Sequence, residues 1–125
     1  MRISAPGKIV LWGEYAVLTG APAAVMAIDT RAEINIELTK GQQWHFSSTG
    51  FNCPKEQVNS ADLSFAPSAQ FSSAILEHWG IESFGGVHPS ANVHTDSRKF
   101  FVDGQKLGLG SSAAVCNVTY LAFCR

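Results

Sequence analysis

The sequence is poor in cysteine and has no long apolar run, and each scarcity excludes a class of protein. Its 125 residues include three cysteines, Cys53, Cys116 and Cys124, an odd number without a Cys-x-x-Cys pair. Neither a disulfide framework nor a zinc site is indicated, and a reducing cytoplasm is the predicted location. No apolar stretch reaches the roughly 18 residues of a membrane span. Lys8 and Glu14 interrupt the apolar N-terminal stretch, which argues against a signal peptide.

Charge is scarce as well. Charged residues make up 15% of the chain, the net charge is −1, and Lys and Arg form no cluster, so nucleic-acid binding is not expected. Hydrophobic residues make up 46%, which is typical of a globular domain with a sizeable core. The histidines stand at no metal-ligand spacing and are interpreted as structural or surface residues: His45, His78, His88 and His94.

Hydrophobic periodicity predicts four strands, a helix, a fifth strand and a final helix. The predicted strands cover residues 1–5, 23–28, 31–38, 44–48 and 90–96, the predicted helices cover 68–79 and 113–123, and residues 52–66 are predicted to be a loop. Strict alternation in the third strand predicts core positions at Ala32, Ile34, Ile36 and Leu38. Helical spacing predicts that one side of the first helix is formed by Phe71, Ala74, Ile75 and His78 or Trp79.

The stretch Lys-Leu-Gly-Leu-Gly-Ser-Ser-Ala-Ala at 106–114 indicates a phosphate-binding loop that runs into a helix. Gly108 and Gly110 allow a sharp turn and let backbone N–H groups approach a ligand closely. Ser111 or Ser112 suits the N-cap of the final helix. A helix N-terminus offers unpaired N–H groups and a positive dipole end to phosphate, and a serine hydroxyl can bind Mg²⁺.

Two other phosphate-binding patterns fit this stretch less well. The spacing Gly108-x-Gly110-x-x-Ala113 satisfies the relaxed dinucleotide fingerprint, but that fingerprint belongs after the first strand of a domain. A Walker A loop is absent, because no Gly-Lys-Ser/Thr follows at the required spacing. The remaining alternative is a Gly-Ser turn that only caps a buried helix.

A second stretch, residues 5–18, places charged residues inside an apolar segment. Lys8 follows a Pro-Gly break, from which its ammonium can contact a phosphate or a hydroxyl that is losing its proton. Glu14 follows Gly13, where a carboxylate could hold a cation or orient the lysine. The alternative is that both are surface charges beside a hairpin.

Together these two stretches resemble the first and second motifs of the GHMP kinases, a family that includes galactokinase, homoserine kinase, mevalonate kinase and phosphomevalonate kinase. Gly13-Glu14-Tyr15 is similar to the form in phosphomevalonate kinases, where mevalonate kinases usually have histidine after the glutamate. Lys106-Leu107-Gly108-Leu109-Gly110 is also similar to the phosphomevalonate kinase form.

The resemblance implies a fold and an activity. The fold is a two-layer α+β domain like ribosomal protein S5 domain 2, with a mostly antiparallel sheet packed by helices. The activity is ATP- and Mg²⁺-dependent phosphoryl transfer to 5-phosphomevalonate, a small-molecule acceptor of the mevalonate route to isoprenoids. Another GHMP kinase, mevalonate kinase first, and a non-catalytic S5-like binding module stay open as alternatives.

The same resemblance implies roles for individual residues. Lys8 would be catalytic and contact both the acceptor and the transferring phosphate, Glu14 and Tyr15 would shape the acceptor pocket, and Ser112 would bind the metal. The ATP phosphates would be held by Lys106, Gly108, Leu109, Gly110, Ser111, Ser112 and Ala113.

The resemblance finally implies that residues 1–125 form a truncated N-terminal ATP-binding domain. A catalytic aspartate and a second domain would then lie beyond Arg125, and these residues alone would have negligible kinase activity. A core exposed at that edge would allow self-association or a homodimer.

Overall fold

A computed structural model of the chain describes residues 1–51, 55–63 and 67–124. Cys53 and Arg125 lie outside this part. Five strands form one sheet in the order β1-β2-β5-β3-β4. The sheet strands are β1 Arg2–Trp12, β2 Ala24–Leu38, β3 Gln43–Thr49, β4 Glu56–Asn59 and β5 Ala91–Asp96; a small hairpin follows with β6 Phe101–Val102 and β7 Gln105–Lys106, and the helices are α1 Gln70–His78 and α2 Ser111–Phe123.

The sheet is mostly antiparallel. β1 pairs with β2, β2 with β5, and β3 with β4 in antiparallel register, whereas β3 and β5 are parallel. The connection from β3 to β5 runs through β4 and α1. β1 is therefore an edge strand, and it keeps one row of backbone groups free for the segment before α2.

One face of the sheet is apolar and packs against the helices. Ile34 and Ile36 of β2 lie on this face, because alternate residues of a strand share a side. Trp44 stacks on Phe46 with ring centroids 6.0 Å apart, and Phe84 lies 5.1 Å from both rings. The helices complete this cluster with Leu76, Val118 and Ala122. A sheet covered by helices on one face is the predicted two-layer α+β arrangement.

Three strand predictions are wrong in extent. β1 continues to Trp12, and β2 is continuous from Ala24 to Leu38, so a single long hairpin replaces three short strands. The segment predicted as a buried strand at 23–28 is largely exposed, with Val25 and Met26 on the part of the hairpin beyond the helices. Leu38 is 65% exposed, because it is the last residue of its strand. Residues 52–66 are not simply a loop, since β4 lies within them.

The buried side of α1 also differs from the prediction. Of the predicted residues, Ile75 is buried and Phe71 and Trp79 pack against the core. Ala74 and His78 are exposed, and the other buried residues of the helix are Ser72, Ser73 and Leu76. Serine is small enough to lie in a helix contact, so the spacing of apolar residues alone predicted only part of the buried side. α2, with 13 residues, is the longer helix, and no helix within the described ranges is long and apolar enough to cross a bilayer.

The opposite face of the sheet is polar and carries an ion pair between Asp96 and Arg98. The Arg98 side chain donates hydrogen bonds to the carboxylate at 2.6 and 3.0 Å, and its backbone N–H donates another at 3.0 Å. These bonds, with the guanidinium first, lower the pKa of Asp96 to about 2.

Replacing Asp96 with asparagine is expected to lower the free energy of unfolding at neutral pH by at most about 1 kcal/mol, because the pair is exposed to solvent. An aspartate with a lowered pKa in the folded state stabilises above its unfolded pKa of about 3.9. The difference between the parent and Asp96→Asn should therefore vanish as the pH falls from about 4 to about 2. Urea unfolding from pH 2 to 7 measures it, with exposed Asp62→Asn as the control. A difference that stays constant down to pH 2 contradicts the assignment.

Candidate functional site

The glycine loop, residues 106–110, lies directly against β1. The backbone N–H of Lys8 donates a hydrogen bond of 2.9 Å to the carbonyl oxygen of Leu109. The strand pairing shifts register between Pro6 and Lys8, so β1 is irregular at this point. The first strand and the loop before α2 therefore meet at Lys8, although about a hundred residues separate them in the sequence.

Glycine is required on both sides of this contact. A Cβ at Gly7 would lie 2.5 Å from the Leu109 carbonyl oxygen and 2.5 Å from a ring carbon of Phe100. A Cβ at Gly110 would lie 2.7 Å from the Cγ of Lys8 and 3.4 Å from its backbone N and O. Gly110 also has φ +74°, which favours glycine. Gly108 has a similar φ of +72°, but a Cβ there would meet open space.

α2 begins at Ser111, with Gly110 as its N-cap. The prediction that Ser111 or Ser112 is the N-cap is therefore wrong, since both belong to the first helical turn. Gly110 has a left-handed conformation where the loop meets Lys8, and as a glycine it has no side chain with which to cap the helix. The N–H groups of the first turn have no acceptor within the helix, so they are free to bind an anion.

The two serines at the start of α2 have different surroundings. Ser111 is fully buried, and its Oγ has no hydrogen-bond partner in the part of the chain that the structure describes. Ser112 is exposed, and its Oγ accepts a hydrogen bond of 3.2 Å from Nζ of Lys106. Of the two hydroxyl groups, only that of Ser112 is accessible to a phosphate or a metal ion from solvent. Ala113, which follows, is half-buried.

Lys106 lies in β7, opposite Phe101 of β6. Its ammonium is placed 5.4 Å above the centre of the Phe51 ring. Two lysines thus contribute to this site: the stem of exposed Lys8 packs on Gly110 from β1, and Lys106, the first residue of the loop, reaches Ser112. The ion pairs within residues 1–51, 55–63 and 67–124 involve neither lysine.

Glu14 and Tyr15 lie farther along the first hairpin. They follow Gly13, whose φ is +83° and whose absent Cβ leaves room for the Pro22 carbonyl. Both side chains are exposed, Tyr15 to 80%. The stretch of β1 from Lys8 to Trp12 lies between them and the point where the loop contacts the strand. The contacts therefore bring Lys8 to the glycine loop, while Glu14 and Tyr15 follow the far end of the same strand.

The charges at this site suit a polyphosphate. The Lys106 ammonium, the stem of Lys8 and the positive end of α2 meet at the same loop. Lysine side chains and helix N-termini both attract anions. No group of three His, Cys, Asp or Glu side chains that could hold a metal occurs among the residues that the structure covers. Mg²⁺ usually binds through substrate phosphates and one or two protein oxygens. The Ser112 hydroxyl fits that way of binding.

Two residues of this site were not among the sequence candidates. Gly7 was noted only as part of a Pro-Gly break, although the loop packs against it. Phe51 follows a turn after β3 and carried no signal in the sequence, because its contact with Lys106 joins distant parts of the chain.

Two proteins of known function are similar in sequence to this chain. No protein-family model matches the chain. It is 29% identical over 118 residues to phosphomevalonate kinase of Saccharolobus solfataricus, which covers 91% of this chain and 32% of that protein. It is 28% identical over 120 residues to mevalonate kinase of Pyrococcus furiosus, covering 93% of this chain and 36% of that protein. The chain thus spans about a third of the length of these relatives.

The fold is also similar to solved structures of mevalonate and phosphomevalonate kinases. Methanococcus jannaschii mevalonate kinase superposes with a TM-score of 0.73 at 25% identity, over 98% of this chain and 39% of that one. The homologues of this chain are GHMP kinases. Streptococcus pneumoniae phosphomevalonate kinase, solved in complex with phosphomevalonate and AMPPNP, superposes with a TM-score of 0.71 at 22% identity. It covers 98% of this chain and 35% of that one. The predicted resemblance to the N-terminal part of GHMP kinases is confirmed, as is the predicted fold of their N-terminal domains.

Proposed function

We propose that this GHMP kinase homologue binds ATP with Mg²⁺ and serves phosphoryl transfer to 5-phosphomevalonate. The observation that carries the proposal is the contact between Lys8 and the glycine loop, made by the hydrogen bond to Leu109 and by the packing on Gly110. It places a lysine beside a helix N-terminus that has no side-chain cap. If the glycine loop served only to cap a buried helix, it would not need a lysine beside it.

Each part of the site has a role in this proposal. The N–H groups at the start of α2 and the ammonium of Lys106 bind the ATP phosphates. Lys8 neutralises negative charge on the transferring phosphoryl group and contacts the acceptor. The Ser112 hydroxyl would hold Mg²⁺ in part, and the ion would supply further charge neutralisation at the phosphates. Phosphoryl transfer depends mainly on such positioning and charge stabilisation.

The acceptor is proposed to be 5-phosphomevalonate. Tyr15 after Glu14 matches the phosphomevalonate kinase form of the first motif, and a phosphomevalonate kinase is among the curated relatives. Mevalonate is the second candidate, supported by the similarity to the Pyrococcus and Methanococcus enzymes. ADP release by the full product of the gene, measured with each acceptor in turn, separates the two.

Nucleotide binding is tested by calorimetric titration of the chain with AMPPNP in the presence of Mg²⁺. Saturable binding that weakens steeply with added salt is expected, because the contacts are mainly ionic. Adenosine, which lacks the phosphates, is the control ligand and should bind far more weakly. Equal affinity for adenosine and AMPPNP, or no binding of AMPPNP, favours the non-catalytic binding module instead.

The remaining expectations stay predictions. They are the extent of the domain over residues 1–125, self-association or a homodimer, the position of a catalytic aspartate, and a cytoplasmic location.

A further inference from the structure

We propose that Phe51 is a positioning residue, whose ring holds the ammonium of Lys106 at the start of α2. The inference rests on the proposed function for the identity of the anion, which is a nucleotide polyphosphate. It adds to that function a side chain that touches no ligand and acts through the lysine.

The lysine is held from two sides. Its Nζ lies 5.4 Å from the centre of the Phe51 ring, within the range of a cation–π interaction. The same Nζ donates a hydrogen bond of 3.2 Å to Ser112. An ammonium has three N–H donors, so two remain for phosphate oxygens.

The ring is itself fixed. Phe51 packs edge-to-face against Phe101, with ring centroids 5.6 Å apart and an interplanar angle of 80°. The carbonyl oxygen of Phe51 accepts a hydrogen bond of 2.8 Å from Ser48. Both rings pack against a small buried cluster formed by Ala32, Phe100, Ala114 and Val115. Two members of that cluster belong to α2, so the ring is tied to the helix whose start binds the phosphates.

The arrangement reduces the cost of binding. A free lysine side chain loses rotamer freedom, and therefore conformational entropy, when it is immobilised. A ring that already restrains the ammonium near Ser112 removes part of that loss, which is preorganisation. The alternative role for Phe51 is packing alone, which would not depend on Lys106.

The test is a double-mutant cycle on AMPPNP affinity in the 125-residue chain. Phe51→Leu is expected to weaken binding about 2- to 5-fold, the size of a cation–π contribution at a partly exposed site. In a Lys106→Met background the same change should have no further effect. Phe71→Leu is the matched control, because it removes an aromatic ring that packs against the same buried cluster from α1 and keeps the one beneath the lysine. Phe51→Trp should restore affinity.

A second measurement does not need the nucleotide. The ε-methylene protons of Lys106 lie near the Phe51 ring, so their NMR signals should be shifted upfield in the free protein. That shift should disappear in Phe51→Leu and persist in Phe71→Leu, with thermal unfolding confirming that both variants fold.

Each outcome decides the proposal. A Lys106 signal that is unchanged in Phe51→Leu overturns it, and so does a loss of affinity that is equally large with and without Lys106. If the unsubstituted chain binds no AMPPNP while the upfield shift is present, the proposed function fails, and with it the role of Lys106 toward phosphate, although the ring contact is real.

Discussion

Replacing Gly110 with alanine is expected to weaken AMPPNP binding by about tenfold or more, the effect of forcing extra atoms into a close-packed contact. The new Cβ would lie 2.7 Å from Cγ of Lys8, which is near the backbone and has little freedom to move aside. Either the loop leaves β1 or the lysine turns away from it. Both changes separate the ammonium from the start of α2.

Gly108→Ala is the matched control for this variant. Gly108 and Gly110 have φ values of +72° and +74°, so alanine carries the same backbone strain at either position. Only at Gly110 does the Cβ meet another residue. Calorimetry with AMPPNP, run beside urea unfolding, isolates the contact with Lys8. Equal losses of affinity in the two variants would show that backbone strain alone matters.

Replacing Lys8 with methionine is expected to lower the rate of phosphoryl transfer about 10²- to 10³-fold, the usual consequence of removing one group that stabilises transition-state charge. Methionine keeps much of the stem that packs on Gly110 and removes the ammonium. The rate is measured as ADP release with 5-phosphomevalonate by the full product of the gene.

Lys40→Met is the control for the charge itself. Lys40 is exposed at the turn between β2 and β3, away from the glycine loop, and its loss should leave the rate unchanged. If Lys8→Met retains the parent rate, the ammonium has no part in the reaction, and the contact with the loop is only structural.

The sequence predicted the parts of the fold in which apolar spacing and burial coincide. Ala32, Ile34 and Ile36 alternate and are buried, as expected for a strand with one covered face. β4 escaped prediction because it has a single buried apolar residue, Val58, among polar neighbours. Its strand conformation comes from pairing with β3, which no local pattern records.

In the candidate site too, residues with a local sequence pattern could be predicted, and residues placed by distant contacts could not. Gly108, Gly110 and the two serines that follow could be predicted as site residues, because a phosphate-binding loop before a helix has a local sequence pattern. A phosphate contact of Lys8 was indicated by the Pro-Gly break before it and by the family resemblance, and the structure places its backbone against the loop. Phe51 could not have been chosen, since its contact with Lys106 depends on where β3 and the β6–β7 hairpin end in space.

The parallel pairing of β3 with β5 has a consequence for how the chain reaches its native state. The other neighbouring pairs of the five-stranded sheet are antiparallel, whereas β3 and β5 are joined by a long connection that contains β4 and α1. Bringing β3 and β5 together closes this long connection, which costs conformational entropy before the hydrogen bonds between the two strands can form. Trp44 lies on β3 in the centre of the core. In a variant whose other tryptophans, Trp12 and Trp79, are replaced with phenylalanine, its fluorescence after dilution from denaturant reports that step.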